Sequence, residues 1–172
     1  MIKLLLVLIV MLIPLLVNEP PHKYSEKVLY TDLKGTVKRQ VDCLADNIYF
    51  EARGESKAGQ KAVALVTINR THSGLFPKTV CGVVRQAHQE VCQFSWWCNT
   101  ETRAQAQRRK FAKQPYALAR EIAMEVYFNY NMMNDVTKGA LFYHAVYVPK
   151  SAIGVSGLRK TAKIGRHIFY KV

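Results

Sequence analysis

The chain is short of acid. Twelve Asp and Glu residues stand against 25 Lys and Arg in 172 positions, a formal charge of +13 with a pI near 9.7. Such an excess suits a polyanionic neighbour, whether nucleic acid, an anionic membrane face or an acidic wall polymer, and charge alone does not choose among them. Internal repeats and low-complexity tracts are also missing, which excludes a solenoid or a tail-like chain. No apolar run reaches the roughly 20 residues that span a bilayer comfortably. Cysteine is scarce, at four, and no two form a C-x-x-C pair. A zinc reading built on His88, Cys92 and Cys98 therefore ranks below disulfide bridging or plain burial. What remains is 49% hydrophobic, enough to fill one globular core.

The longest apolar run lies at the start. After Lys3 it extends from Leu4 to Val17, the length of a signal-peptide core, and ends at Asn18 and Glu19. Residues 1–17 thus read as a signal peptide or a signal anchor. No small-x-small cleavage site follows, because Asn18, Glu19, Pro20 and Pro21 come next, and that favours the uncleaved anchor. Export makes the even set of Cys43, Cys81, Cys92 and Cys98 a candidate for one or two disulfides, with three full connectivities open. Residues 18–40 are polar and proline-containing and read as a linker, which leaves residues 41–172 as the folded domain.

Within that domain, Val41, Leu44, Ala45, Ile48 and Ala52 recur at steps of three and four, an amphipathic helix that Gly54 would end. Ser56 is a suitable cap for a second helix bearing Ala58, Ala62, Leu65 and Val66 on one side. Residues 75–99 combine Pro77, Gly82 and a dense aromatic group, and predict loop and short helix. Residues 99–114 are basic and polar, a solvated face. Pro115 suits the first turn of a further helix with Leu118, Ile122 and Val126 in phase. The period then changes to two. "ALFYHAVYV" and "KIGRHIFYKV" predict two antiparallel strands joined by a long loop holding Pro149, Gly154 and Gly157. The fold class is α+β, with helices first and a small antiparallel sheet last.

One carboxylate breaks the pattern. Glu51 follows Leu44 by seven positions and Ile48 by three, so it faces the apolar side of its helix, while Asp42 and Asp46 point roughly the other way. It also sits in the last turn, where the helix dipole disfavours negative charge. Desolvation and dipole both raise its pKa, as a general acid near neutral pH requires. The competing reading is a simple ion pair with Arg53, Arg70 or another cation.

The runs "YFEARGESKAGQKAVALVTINR", "FPKTVCGVVRQ", "CQFSWWC", "YHA" and "IGRHIFYKV" together, in that order, resemble the cell wall hydrolase family typified by the SleB spore cortex lytic enzymes. The resemblance covers residues 41–172. It implies a lysozyme-like helical domain that degrades peptidoglycan as a lytic transglycosylase or muramidase. The bond would be the one between N-acetylmuramic acid and N-acetylglucosamine. The first glutamate of "EARGE", Glu51, maps onto the family's catalytic acid, and no metal or organic cofactor is implied. One carboxylate would suffice, since a lytic transglycosylase uses the sugar's own 6-hydroxyl as nucleophile.

Further substrate contacts are expected of Glu55, Gln93, Phe94, Ser95, Trp96, Tyr143 and His144. "QFSWW" offers an amide, a hydroxyl and three rings for a sugar-binding cleft, although one of Trp96 and Trp97 is expected to be core. Glu55 could equally cap the next helix or bind a cation. Tyr143 and His144 alternate to opposite faces, so at most one reaches the cleft. His144 could also form a cross-strand pair with His167, while Asn69 and Arg70 read first as helix-end hydrogen-bonding groups. The expected partners are peptidoglycan glycan strands and, through residues 1–17, the inner membrane. The expected state is an extracytoplasmic monomer that binds no nucleic acid, since nucleic-acid binding explains neither the export signal nor the aromatic cluster. The alternative is a non-catalytic wall-binding or lysis-accessory module.

Overall fold

The computed structural model describes residues 28–89, 91–109, 114–149 and 157–172. The signal segment 1–17, residues 18–27 of the expected linker, Glu90 and the middle of the loop after Pro149 lie outside these residues. The rest of the expected linker is folded. A 3-10 turn at Tyr30–Asp32 precedes α1, which runs Gly35–Ala52 and so begins at Gly35 rather than Val41. The polar opening "GTVKRQ" hides the extra turns from any apolar periodicity. They are secured instead by Asp42, which accepts from Lys38 at 2.9 Å and from the Tyr30 hydroxyl.

Helix α2 (Lys57–His72) occupies the centre. Ser56 caps it, its hydroxyl accepting from the Gly59 amide at 3.3 Å, an arrangement worth about 1 kcal/mol. Ala58, expected on the buried stripe, is exposed, yet from Gly59 to Arg70 every residue but Lys61 is buried. A helix covered all round is an interior helix. One side, with Ala64, Leu65 and Ile68, joins Leu44, Ile48, Ile122 and Val126 in the helical core. Its other side, with Ala62 and Val66, packs on Ala140 and Phe169 beneath the sheet.

Helix α3 (Val80–Val84) is tied to α1 by Cys43–Cys81. A two-residue hairpin, β1 (Ala87–His88) with β2 (Val91–Cys92), leads to α4 (Ser95–Cys98), and Cys92–Cys98 closes that short loop. Chain-entropy arguments assign about 4 kcal/mol to the first bridge and about 2 kcal/mol to the second, because the second closes a much shorter loop. With Cys92 bonded to Cys98, neither is a thiolate ligand for zinc. Helices α5 (Thr100–Arg109) and α6 (Pro115–Asn129) follow, α6 packing extensively along α1 with Pro115 in its first turn.

The C-terminal region is a three-stranded antiparallel sheet in the order β3 (Phe142–Ala145), β5 (His167–Lys171), β4 (Arg159–Ile164). This corrects the single strand expected for "KIGRHIFYKV". Gly165, at φ +56°, and Arg166 turn the chain, so Ile164 pairs with His167 across a tight hairpin instead of continuing towards Ile168. A positive φ at glycine was the overlooked signal. β3 pairs with β5 as expected, Tyr143 opposite Phe169 and His144 opposite Ile168.

Candidate active site

Three elements converge on Glu51. The last turn of α1 carries it, β3 brings Tyr143 over it, and the C-terminal turn of α2 supplies Arg70 behind it. The Tyr143 hydroxyl donates to Glu51 Oε2 at 3.2 Å. Glu51 keeps a partly exposed edge, but surrounding atoms desolvate its carboxyl, and burial pushes its pKa above the ordinary 4.5 against the opposing effects of the Tyr143 hydrogen bond and the Arg70 charge. Burial beside Glu51 likewise holds the Tyr143 hydroxyl well above its ordinary range, so Tyr143 stays a donor. Among the described residues Glu51 forms no ion pair. Arg53 is exposed and turns back over the Tyr49 ring, and Arg70 acts on Glu51 through space without forming an ion pair.

The other carboxylates near in sequence are engaged elsewhere. Asp46 accepts from the Tyr116 hydroxyl at 2.8 Å, on the α6 side with Asp42, as the helix phase predicted. Glu55 grips the β4–β5 turn: Arg166 donates to it from its backbone amide at 3.0 Å and from Nε at 2.7 Å. Arg166 Nη2 also reaches the Gly54 carbonyl at 3.1 Å. Burial works against the Glu55 charge, yet these hydrogen bonds and the guanidinium hold its carboxyl below the usual range. Space is tight there, since a Cβ on Gly165 would lie 2.2 Å from Glu55 Oε2. Glu55 is a clamp between the α1–α2 turn and the sheet, and the cation-binding reading of it is the one the geometry follows.

The aromatic segment divides. Gln93 and Ser95 are exposed, whereas Phe94 and Trp96 are buried. Trp96 stacks on Phe50 at 4.6 Å and donates from its indole to Asn47 Oδ1 at 3.2 Å, so it is core rather than a substrate contact. Trp97 is the outer ring, with Arg85 and Arg103 each about 5.0 Å from its centroid. Asn47, wholly buried and also donating to Thr67 at 3.1 Å, is an anchor that sequence reasoning missed; its only trace was its place one turn before Glu51.

His144 does not reach the site. Its Nδ1 donates to the Ala145 carbonyl and its Nε2 meets the Tyr170 hydroxyl, both at 2.9 Å, on the face opposite Tyr143. The cross-strand partner of His167 is Ala145, not His144; its ring instead stands edge-on to Tyr143, with centroids 5.3 Å apart. Burial pushes the His167 pKa below its ordinary value, although Glu55 nearby pulls it up.

Arg70 is the other understated residue. It is 2% exposed, its Nε donates to the Leu141 carbonyl at 2.7 Å, and the rings of Phe76, Phe94 and Phe142 surround the guanidinium at 4.8, 5.3 and 5.8 Å. Asn69 beside it donates to the Ala140 carbonyl at 3.0 Å. Neither side chain closes the helix end as expected; both hydrogen-bond across to the chain entering β3. A concavity of about 490 Å³ between residues 28–30 and α6 does not include Glu51. Among the described residues no group of three or more His, Cys, Asp and Glu could hold a metal ion.

The geometry can be set beside known proteins. A solved catalytic domain of the germination-specific lytic transglycosylase SleB from Bacillus anthracis superposes with a TM-score of 0.55 at 29% identity, covering 81% of this chain and 99% of that one. The catalytic domain of the Bacillus cereus SleB protein gives the same TM-score at 26% identity, with 94% of that chain covered. Spore cortex-lytic enzymes of Bacillus subtilis and Oceanobacillus iheyensis are each 32% identical, over 88% and 80% of this chain. The chain spans less than half, 44%, of the length of either relative. The family described as Cell Wall Hydrolase matches residues 54–170, starting just after Glu51, so the case for that residue rests on its surroundings. By that match, and by the order of its motifs on one shared fold, the chain belongs to the cell wall hydrolase family.

Proposed function

We propose that the domain cleaves peptidoglycan glycan strands between N-acetylmuramic acid and N-acetylglucosamine, as a lytic transglycosylase with Glu51 as its single acid and base. One observation carries this reading: a desolvated carboxyl, held by the Tyr143 hydroxyl, with every neighbouring described carboxylate committed elsewhere. Retaining and inverting glycosidases need a second carboxylate about 5–9.5 Å away. A transglycosylase does not.

Protonated Glu51 donates its proton to the glycosidic oxygen, and the C1–O bond breaks with its electron pair leaving on that oxygen. Glu51, now a carboxylate, takes the proton of the 6-hydroxyl as its oxygen bonds to C1, which yields a 1,6-anhydro sugar and restores the acid. Tyr143 and Arg70 favour the carboxylate needed midway, while burial favours the acid needed first. Gln93 and Ser95, the exposed members of their segment, contact substrate, and Phe94 backs them.

Mass spectrometry of digested peptidoglycan tests the chemistry. Anhydromuramic ends are expected; reducing ends alone would mark a hydrolase, and new free amino groups an amidase. A wall-binding or lysis-accessory module would retain its effect in Glu51→Gln, whereas the enzyme should lose muropeptide release.

The setting of the domain belongs to the same proposal. It works as an extracytoplasmic monomer, and residues 1–17 hold it at the inner membrane as a signal anchor, as a phage or prophage lysis protein would be held before release. Among the described residues no helix is long and apolar enough to cross a membrane, and residues 1–17 are not among them. N-terminal sequencing of active, released protein tests the anchor: an intact segment supports it, and its removal indicates an ordinary signal peptide. The basic surface would hold the enzyme near acidic wall and membrane polymers, an attraction that salt should weaken.

A further inference from the structure

A buried cation without an ionic partner is costly unless something compensates for it. Arg70 is such a cation. Its Nη1 has no hydrogen-bond partner among the described residues, and burial depresses its pKa. Core packing alone would be served as well by a hydrophobic side chain. The guanidinium instead contacts the segments that flank the site and acts on Glu51 and Tyr143 through its charge. Through Nε it holds the Leu141 carbonyl, two residues before Tyr143. Its face carries Phe94, from the segment that presents Gln93 and Ser95, and Phe76 and Phe142 complete the enclosure. Its charge is felt by both Glu51 and Tyr143.

We infer that Arg70 is a positioning residue of the reaction: it fixes the Tyr143 strand and the Phe94 segment around Glu51, and places beside Glu51 a cation that favours its carboxylate in the second step. The inference deepens the single-glutamate reading and rests on it. Lysine cannot substitute fully, because a point charge keeps the field but loses the planar fork and the stacking on three rings.

The test compares Arg70→Lys and Arg70→Met in the full chain. The groups facing Glu51 are Tyr143 from β3 and Arg70 from α2, with His167 of β5 behind Tyr143 and next to the Glu55–Arg166 clamp. Activity requires protonated Glu51 at the start, so its pKa sets the alkaline limb of the pH profile. Loss of the cation raises that pKa further. In R70M the alkaline limb should move to higher pH, and kcat should fall on the order of 10²-fold with KM little changed, as expected for a misplaced reacting group. In R70K the limb should stay in place while kcat falls by a smaller factor.

An unmoved limb in R70M, or losses equal in both variants and matched by lost folded protein, would overturn the inference. If R70M does not fold, R70K decides alone, and wild-type kcat in it defeats the positioning role. A carbon-13 NMR titration of the Glu51 carboxyl in R70K and R70M separates this from the wider reading. Full activity in Glu51→Gln would sink the single-glutamate mechanism, whereas an unchanged Glu51 titration in R70M would sink the Arg70 inference alone.

Discussion

Glu51 and Glu55 sit one helical turn apart in sequence, and their surroundings do opposite things to a carboxylate. At Glu51, burial dominates and the single described donor is a neutral tyrosine, so the pKa is raised and the acid form is favoured. At Glu55, one arginine supplies a backbone amide, a side-chain donor and a full charge, so the pKa is lowered and the carboxylate is favoured in spite of burial. The same residue type is therefore biased towards its acid form in one place and serves as a charged fastener in the other. The difference lies in the partner offered from the far end of the chain: a neutral hydroxyl from β3, or a charged hairpin tip between β4 and β5.

The comparison breaks most readily on activity. Glu51→Gln should reduce muropeptide release on the order of 10²–10⁴-fold, the usual scale for a lost general acid, while Glu55→Gln should leave it within about tenfold. Equal losses in both would restore Glu55 as a second chemical carboxylate. Gly165→Ala attacks the clamp directly, since the new methyl meets Glu55 Oε2 and the backbone holds φ +56°. A loss of about 1–3 kcal/mol in stability, read by chemical denaturation, is expected.

Stability should move in opposite directions at the two sites. With its pKa raised, folded Glu51 holds a proton that the unfolded chain has released, so it costs stability as pH rises from about 4.5 through the native value. Glu51→Gln should therefore raise Tm at pH 7, with the gain fading below pH 4.5. Glu55, with its pKa lowered, contributes stability above about 4.5 that is lost as pH falls through its native value. Glu55→Gln should lower Tm at pH 7 and converge on the wild type in acid. For a chain of this size each kcal/mol corresponds to about 2–4 °C. Calorimetry across pH 3–8 checks both signs, and parallel shifts would contradict the contrast. The finest test is Tyr143→Phe, which removes the donor to Glu51. Its alkaline activity limb should move slightly up in pH, with a fall in kcat of about tenfold.

Much of this contrast was legible beforehand. The phase of α1 separated Glu51 from Asp42 and Asp46, and that separation is seen in the hydrogen bonds of Tyr143, Tyr30 and Tyr116. Helical and strand periods also placed α2, α6 and the β3–β5 pairing. Less legible were features whose signal is not apolar. The polar start of α1 has the composition of a linker, and the Gly165–Arg166 hairpin lies within an alternation that reads as one strand. In the sequence Trp96 and Phe94 both read as substrate contacts, because aromatic residues serve core and cleft alike. His144 alternates with Tyr143 along the strand, and only Tyr143 faces Glu51.

By itself, the sequence determined what local periodicity can encode: which face of each helix is apolar, which strand residues alternate, and that one glutamate stands on the wrong side of its helix. Tertiary structure alone decided what each polar group would meet. Arg70 became the hub of an aromatic enclosure, Glu55 a clamp on Arg166, and Trp96 a core ring bonded to Asn47. The hydrogen bonds that hold them join residues about 50 to 110 positions apart, and the energy of a charge depends on its partner and its solvent exposure, neither of which spacing along the chain records.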